Sequence, residues 1–145
     1  MLDELFALQA ELNRRIGFDT QRLHEQFDPL PIVAEDLGII TPEVEALRDA
    51  FALPGMKILH FAFSGNADNP YLPHNHIANS VVYTGTHDND TTLGWFISLD
   101  DQTRAYADEY LGHPAEEMPW SLIRRAYASI ARLVVVPLQD VLELG

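Results

Sequence analysis

Ser80 to Thr92 reads SVVYTGTHDNDTT, and the fold is read outward from it. The run Val81-Val82-Tyr83-Thr84 predicts a buried strand, Gly85 ends it, and His87, Asp88, Asn89 and Asp90 follow at once. A strand therefore hands an imidazole and a carboxylate to one edge of a sheet. Three other apolar runs repeat the theme. Ile32-Val33-Ala34 runs into Glu35-Asp36, Met56–Ala62 holds Ile58, Leu59 and Phe61, and Leu133–Val136 leads through Pro137 to Gln139-Asp140. Helices are expected between them. Thr41 stands at a cap with Pro42 first in the helix and Val44, Leu47 and Phe51 as its apolar stripe. Asp101–Leu111 predicts a capped helix stopped by Gly112, and Trp120–Arg132 a second with Leu122, Ala126, Tyr127 and Ile130 on one face. Short strands alternating with helices predict a parallel α/β sheet covered on its faces. Ligands of such sheets gather at the carboxyl ends of the strands, where Glu35-Asp36, His87-Asp88 and Gln139-Asp140 all fall.

The stretch from Phe63 to Asn79 is rich in Gly, Asn, Asp and Pro and has no periodicity, which predicts a long loop of the kind that binds something. At the other end of the chain, Leu5, Leu8, Leu12 and Ile16 predict a helix stopped by Gly17. Asp28-Pro29-Leu30-Pro31 breaks the helical pattern. The expected organisation is a helical segment, 1–29, followed by a sheet-containing part, 30–145.

The 145 residues suffice for one core, and a net charge of -13 opposes attraction to phosphate backbones, so nucleic acid is not an expected partner. An acidic surface does not repel a neutral sugar. Cysteine is absent, which excludes thiolate chemistry and disulfides and is compatible with the cytoplasm. No apolar run approaches the ~20 residues that span a bilayer, so the chain reads as soluble and intracellular.

Three chemistries compete for these residues. Glu35 and Asp88 can form the convergent carboxylates of glycosyl transfer: one gives a proton to the departing oxygen, and in retaining enzymes a nucleophile stands ~5–5.5 Å from it. Alternatively each is an ordinary acidic residue after a strand. His74-x-His76 with His60, His87 and Asp88 supplies ligands for zinc in a barrel hydrolase, although HExxH spacing and a calcium loop are both missing. Finally, Phe61, Tyr71, Tyr83, Trp95 and Phe96 offer ring faces to sugars in a non-catalytic glucan-binding or scaffold remnant, or else simply belong to the core.

Ala34-Glu35-Asp36-Leu37-Gly38, Ile40-Thr41-Pro42-Glu43-Val44, Leu53-Pro54-Gly55-Met56-Lys57, Asn69-Pro70-Tyr71-Leu72-Pro73-His74-Asn75 and Tyr83-Thr84-Gly85-Thr86-His87-Asp88-Asn89-Asp90-Thr91 occur in that order. Together they resemble the 4-alpha-glucanotransferases known as amylomaltases or disproportionating enzymes, from about Leu30 to Gly145. The resemblance implies the C-terminal half, about four strand–helix units, of a (β/α)8 TIM barrel. It implies transfer of α-1,4-glucan segments to a sugar 4-hydroxyl with retention, and no cofactor or metal. Glu35 would be the general acid/base after the fifth strand. Asp88, after the seventh, would hold the distorted donor sugar with His87 beside it, and His74, Asn75 and Phe61 would wall the glucan cleft. A proton donor of this kind needs a site shielded from water, which raises a carboxyl pKa. One departure stands out. The family's nucleophilic aspartate sits in an Arg-x-Asp motif, and none occurs in this chain. The expected partners are therefore maltooligosaccharides together with the missing N-terminal half of the barrel, or further copies meeting through open sheet edges.

Overall fold

The computed structural model describes residues 25–27, 32–114 and 117–145. The expected helical segment 1–29 lies outside these apart from 25–27. Two compact units divide the chain, residues 1–55 and 56–145.

In the first unit the expected strand at Ile32–Ala34 is reduced to one parallel bridge, Ala34 with Gly55, supported by the Ala34 amide donating to the Pro54 carbonyl at 2.9 Å. Helix α1, Pro42–Ala50, starts with proline as expected. Thr41 occupies its N-cap, but the threonine side chain makes no capping bond; its carbonyl accepts from Val44 and Glu45 instead. The helix buries none of its residues, so its attachment is electrostatic as well as apolar. Arg48 reaches back to Asp36 at 2.6 Å, with only 9% and 7% of the two side chains exposed. Gly55 is required beside this pair, because a Cβ there would collide with the Asp36 carboxylate. Removing the guanidinium takes a shielded, charge-assisted hydrogen bond away from Asp36. Arg48→Ala is expected to cost about 1–3 kcal/mol in urea unfolding, and a loss below about 0.5 kcal/mol would show that water replaces the guanidinium without penalty.

The second unit holds a three-stranded sheet in the order β1 (Gly55–Ile58, whose first residue closes the first unit), β2 (Ser80–Tyr83) and β3 (Leu133–Val135). β2 and β3 are parallel, with Val81, Val82 and Tyr83 opposite Leu133, Val134 and Val135. The first strand is shorter than the run 56–62 predicts. It ends at Ile58, and Leu59–Phe61 turns into a 3-10 helix that drops Leu59 and His60 into the interior. The long loop is likewise more built than its composition suggests. Pro73–Asn75 forms a second 3-10 turn, Leu72 is fully buried, and Asn69 and His76 are buried with it.

Helix α2, Thr92–Ser98, follows β2 and was not marked by any apolar periodicity. Helix α3, Asp101–Leu111, has the expected bounds. The Asp100 carboxylate accepts from the Thr103 amide at 2.9 Å and from the Thr103 hydroxyl at 2.8 Å, and Gly112 takes the left-handed conformation (φ 80°) that ends a helix at low steric cost. Arg104 of α3 donates to the carbonyls of Leu99 at 2.7 Å and Ile97 at 3.0 Å, satisfying the open end of α2. Helix α4 covers Trp120–Tyr127, five residues shorter than the predicted 120–132. Leu122, Ile123 and Ala126 face inward, whereas Tyr127 is exposed: a helix turns by about 140° between positions 122 and 127. Ile130 lies past the helix end and is exposed too. Helix α5 is the single turn Leu138–Val141.

The core gathers Leu59, Leu72, Val82, Ala107, Leu122 and Ala126, with Phe63 packed against Trp95, Tyr106 and Tyr110. β3 departs from the buried strand that Leu133–Val136 predicts. It lies at a sheet edge with Leu133 and Val135 exposed, because among the described residues nothing covers its outer face. No described helix is long and apolar enough to cross a membrane.

Candidate active site

β2 ends at Tyr83, and the next eight residues fold into a turn before α2. Asn89 closes it: its side-chain oxygen accepts from the Thr86 amide at 2.8 Å and the Thr86 hydroxyl at 2.9 Å, and its own amide donates to the Thr86 carbonyl at 3.1 Å. This is the work of a short amide side chain bonding its own backbone. The residues inside the closed turn are pushed outward. His87 and Asp88 are 88% and 78% exposed at the side chain and approach to 3.3 Å, Nε2 to Oδ1. The turn therefore presents an imidazole–carboxylate pair to solvent from a braced backbone.

The loop residues expected to wall a cleft form a set of their own. The Asn69 side chain donates to the Phe61 carbonyl at 2.8 Å, and Asn75 donates to the carbonyls of Asn69 (2.9 Å) and Ala67 (2.7 Å). His74 also donates through Nε2 to the Ala67 carbonyl at 3.0 Å, which leaves Nδ1 to accept from the Tyr110 hydroxyl at 2.8 Å. Phe61 meets Tyr71 edge to face at 5.5 Å with part of its ring in solvent. Phe61, His74 and Asn75 are thus tied together by Asn69 and Ala67, and both His74 ring nitrogens are engaged within the protein. Asn69, at the centre of that set, was not singled out in the sequence; an Asx turn, in which its oxygen accepts from the Tyr71 amide at 2.9 Å, is the signal that marks it.

In the first unit, Glu35 and Asp36 differ although they are neighbours. Asp36 is bound by Arg48, whereas Glu35 is exposed. The water-shielded surroundings expected for a proton-donating Glu35 are not supplied by the residues of its own unit.

Beneath the exposed turn lies His60, buried and offered by the sequence only as a zinc ligand. His60 stacks on Trp95, centroids 4.5 Å apart and planes 6° from parallel. Its Nε2 is 2.9 Å from the Thr92 hydroxyl. That hydroxyl donates to Asp140 at 2.7 Å, so it accepts from His60, and the imidazole carries its proton on Nε2. Burial pushes the His60 pKa down to about 4, against the pull of Asp140 and Asp90. Gly85 is needed above the ring, since a Cβ there would stand 2.6 Å from His60 Cε1. His76 is also held low by burial, with Nε2 on the Tyr71 carbonyl at 2.9 Å and Nδ1 facing Ser129 Oγ at 2.7 Å. The histidines that suggested zinc are therefore dispersed. Among the described residues no three His, Asp or Glu side chains form a metal-binding group.

A family model described as 4-alpha-glucanotransferase matches residues 5–145. The chain belongs to this family. The match begins upstream of Leu30, where the quoted motifs first reveal the likeness. Among relatives, the chain is 53% identical over 133 residues to a 4-alpha-glucanotransferase of Thermus thermophilus, covering 86% of this chain and 27% of that protein. It is 59% identical over 120 residues to one from Synechocystis sp., covering 81% and 24%. The solved structure of an amylomaltase from Streptococcus agalactiae in complex with acarbose is similar at a TM-score of 0.76 and 36% identity, over 84% of this chain and 25% of that one. The chain thus spans about a quarter of the length of these family members, and it shares with the amylomaltase an α/β fold with a small parallel sheet.

Proposed function

We propose that this chain is the C-terminal portion of the catalytic (β/α)8 barrel of a cytoplasmic 4-alpha-glucanotransferase, which transfers α-1,4-glucan segments to the 4-hydroxyl of an acceptor sugar with retention. The observation that carries the reading is the Thr86–Asn89 turn at the carboxyl end of a parallel strand, which presents His87 and Asp88 outward in a member of this family. Asp88 accepts hydrogen bonds from donor-sugar hydroxyls and His87 assists, while Glu35 protonates the leaving oxygen and then deprotonates the acceptor. Phe61 offers its partly exposed ring to a glucan, and His74 and Asn75 stiffen the wall behind it. Open sheet edges, such as that of β3, are where the rest of the barrel or another copy would pair.

With no Arg-x-Asp nucleophile, the polypeptide alone is expected to form no longer maltooligosaccharides from maltotriose; their appearance on chromatography would sink this reading of an incomplete site. Complementation by the remaining portion of a family barrel should restore transfer, and in that complex Glu35→Gln should lower turnover by about 10²–10⁴-fold. Unchanged turnover would remove Glu35 from the mechanism. Retention on a glucan gel without any restorable turnover would favour a binding remnant.

A further inference from the structure

The seven residues Gly85–Thr91 carry His87 and Asp88, and the residues just outside them are Thr84 and Thr92. Both threonines are fully buried and both bond one carboxylate, that of Asp140, which is itself 1% exposed. The Thr84 hydroxyl donates to Oδ2 at 2.6 Å, the Thr92 hydroxyl donates to the same oxygen at 2.7 Å, and the Thr92 amide donates to Oδ1 at 2.8 Å. His60 extends the chain by donating to Thr92, and its amide donates to the Thr84 carbonyl at 3.2 Å.

We propose that Asp140 is a positioning residue that clamps both ends of the Gly85–Thr91 loop and so fixes where His87 and Asp88 stand. The carboxylate has two oxygens and receives three donors, a set that no neutral side chain of its size accepts. In a buried site each lost acceptor strands a donor, so the clamp holds only when all three bonds form together. Asp140 comes from α5, after β3, and the loop springs from β2, so the clamp joins the ends of two adjacent parallel strands. Its consequence for catalysis rests on the reading of Asp88 given above; its consequence for the loop does not.

The test is amide hydrogen exchange on this chain, read at Asn89 in the turn and Thr92 at its end, with the α4 amides as an internal reference. Asp140→Asn and Thr84→Val should each speed exchange at Asn89 and Thr92 by about tenfold or more relative to α4, the equivalent of losing one buried hydrogen bond. Thr84→Ser, which keeps the hydroxyl, should restore the wild-type ratio. Should Asp140→Asn fail to fold, the Thr84 pair decides. Turn and α4 amides changing in step, or turn amides that do not respond, would overturn the proposal by making the network general stabilisation. Addition of maltoheptaose to the wild-type chain or its barrel complex tests the underlying reading separately. No shift at His87 or Asp88 in either, alongside the expected exchange pattern, would sink the glucan role of Asp88 and leave the clamp standing.

Discussion

Leu122→Ala is expected to lower the unfolding free energy by about 3–5 kcal/mol. Leu122 is fully buried on α4 and packs in the cluster with Leu59, Leu72 and Val82. Deleting its side chain removes apolar area from the interior and leaves a cavity that the surrounding elements cannot fill by small shifts. The 3-10 turns at Leu59–Phe61 and Pro73–Asn75 are anchored by Asn69 and Asn75, and α3 is capped at both ends. Urea unfolding followed by tryptophan fluorescence measures the loss, Trp95 being a wall of the same core. A change of less than about 1 kcal/mol would mean that this cluster closes over the gap and is packed more loosely than its burial indicates.

Stability is expected to fall as pH drops from about 6.5 to about 4, by about 3 kcal/mol from His60 alone. Burial is the main cause: the folded chain holds His60 neutral down to about 4, whereas the unfolded chain protonates it near 6.5. Within that window the unfolded state binds the extra proton and is favoured. Above it both states are neutral and the full stability remains; below it both are protonated and no more is lost. His76, whose pKa is also lowered by burial, acts in the same direction. His60→Gln keeps an N–H for Thr92 without a titrating ring, so urea midpoints at pH 7 and pH 4.5 should differ much less in this variant than in the wild type. An equal difference in both would assign the acid sensitivity to other groups.

What could be read from residue order was local. The strand at Val81–Val82, the stop of α3 at Gly112, Pro42 at the start of α1, and the His87-Asp88 pair after β2 each depend on neighbours a few residues apart, so sequence spacing suffices. The ordered motifs also carried the family, which matches nearly the whole chain. Where reading failed, distant contacts decided. Leu59 leaves the strand for a 3-10 turn that seats His60 on Trp95, 35 residues later in the chain. A run as apolar as Leu133–Val135 was expected inside, yet position at a sheet edge exposes two of its side chains.

The carboxylates illustrate the division most sharply. Position after an apolar run is shared by Glu35, Asp36, Asp88 and Asp140 and by itself does not rank them, since each has the same chemistry and the same local setting. Tertiary structure separates them by partner and burial: Asp36 is held by Arg48, Asp140 receives two threonine hydroxyls and an amide, and Asp88 and Glu35 remain exposed. The reason is physical. A strand's residue pattern determines which end delivers polar groups, but a carboxylate's role depends on what meets it, and Thr84 lies 56 residues from Asp140.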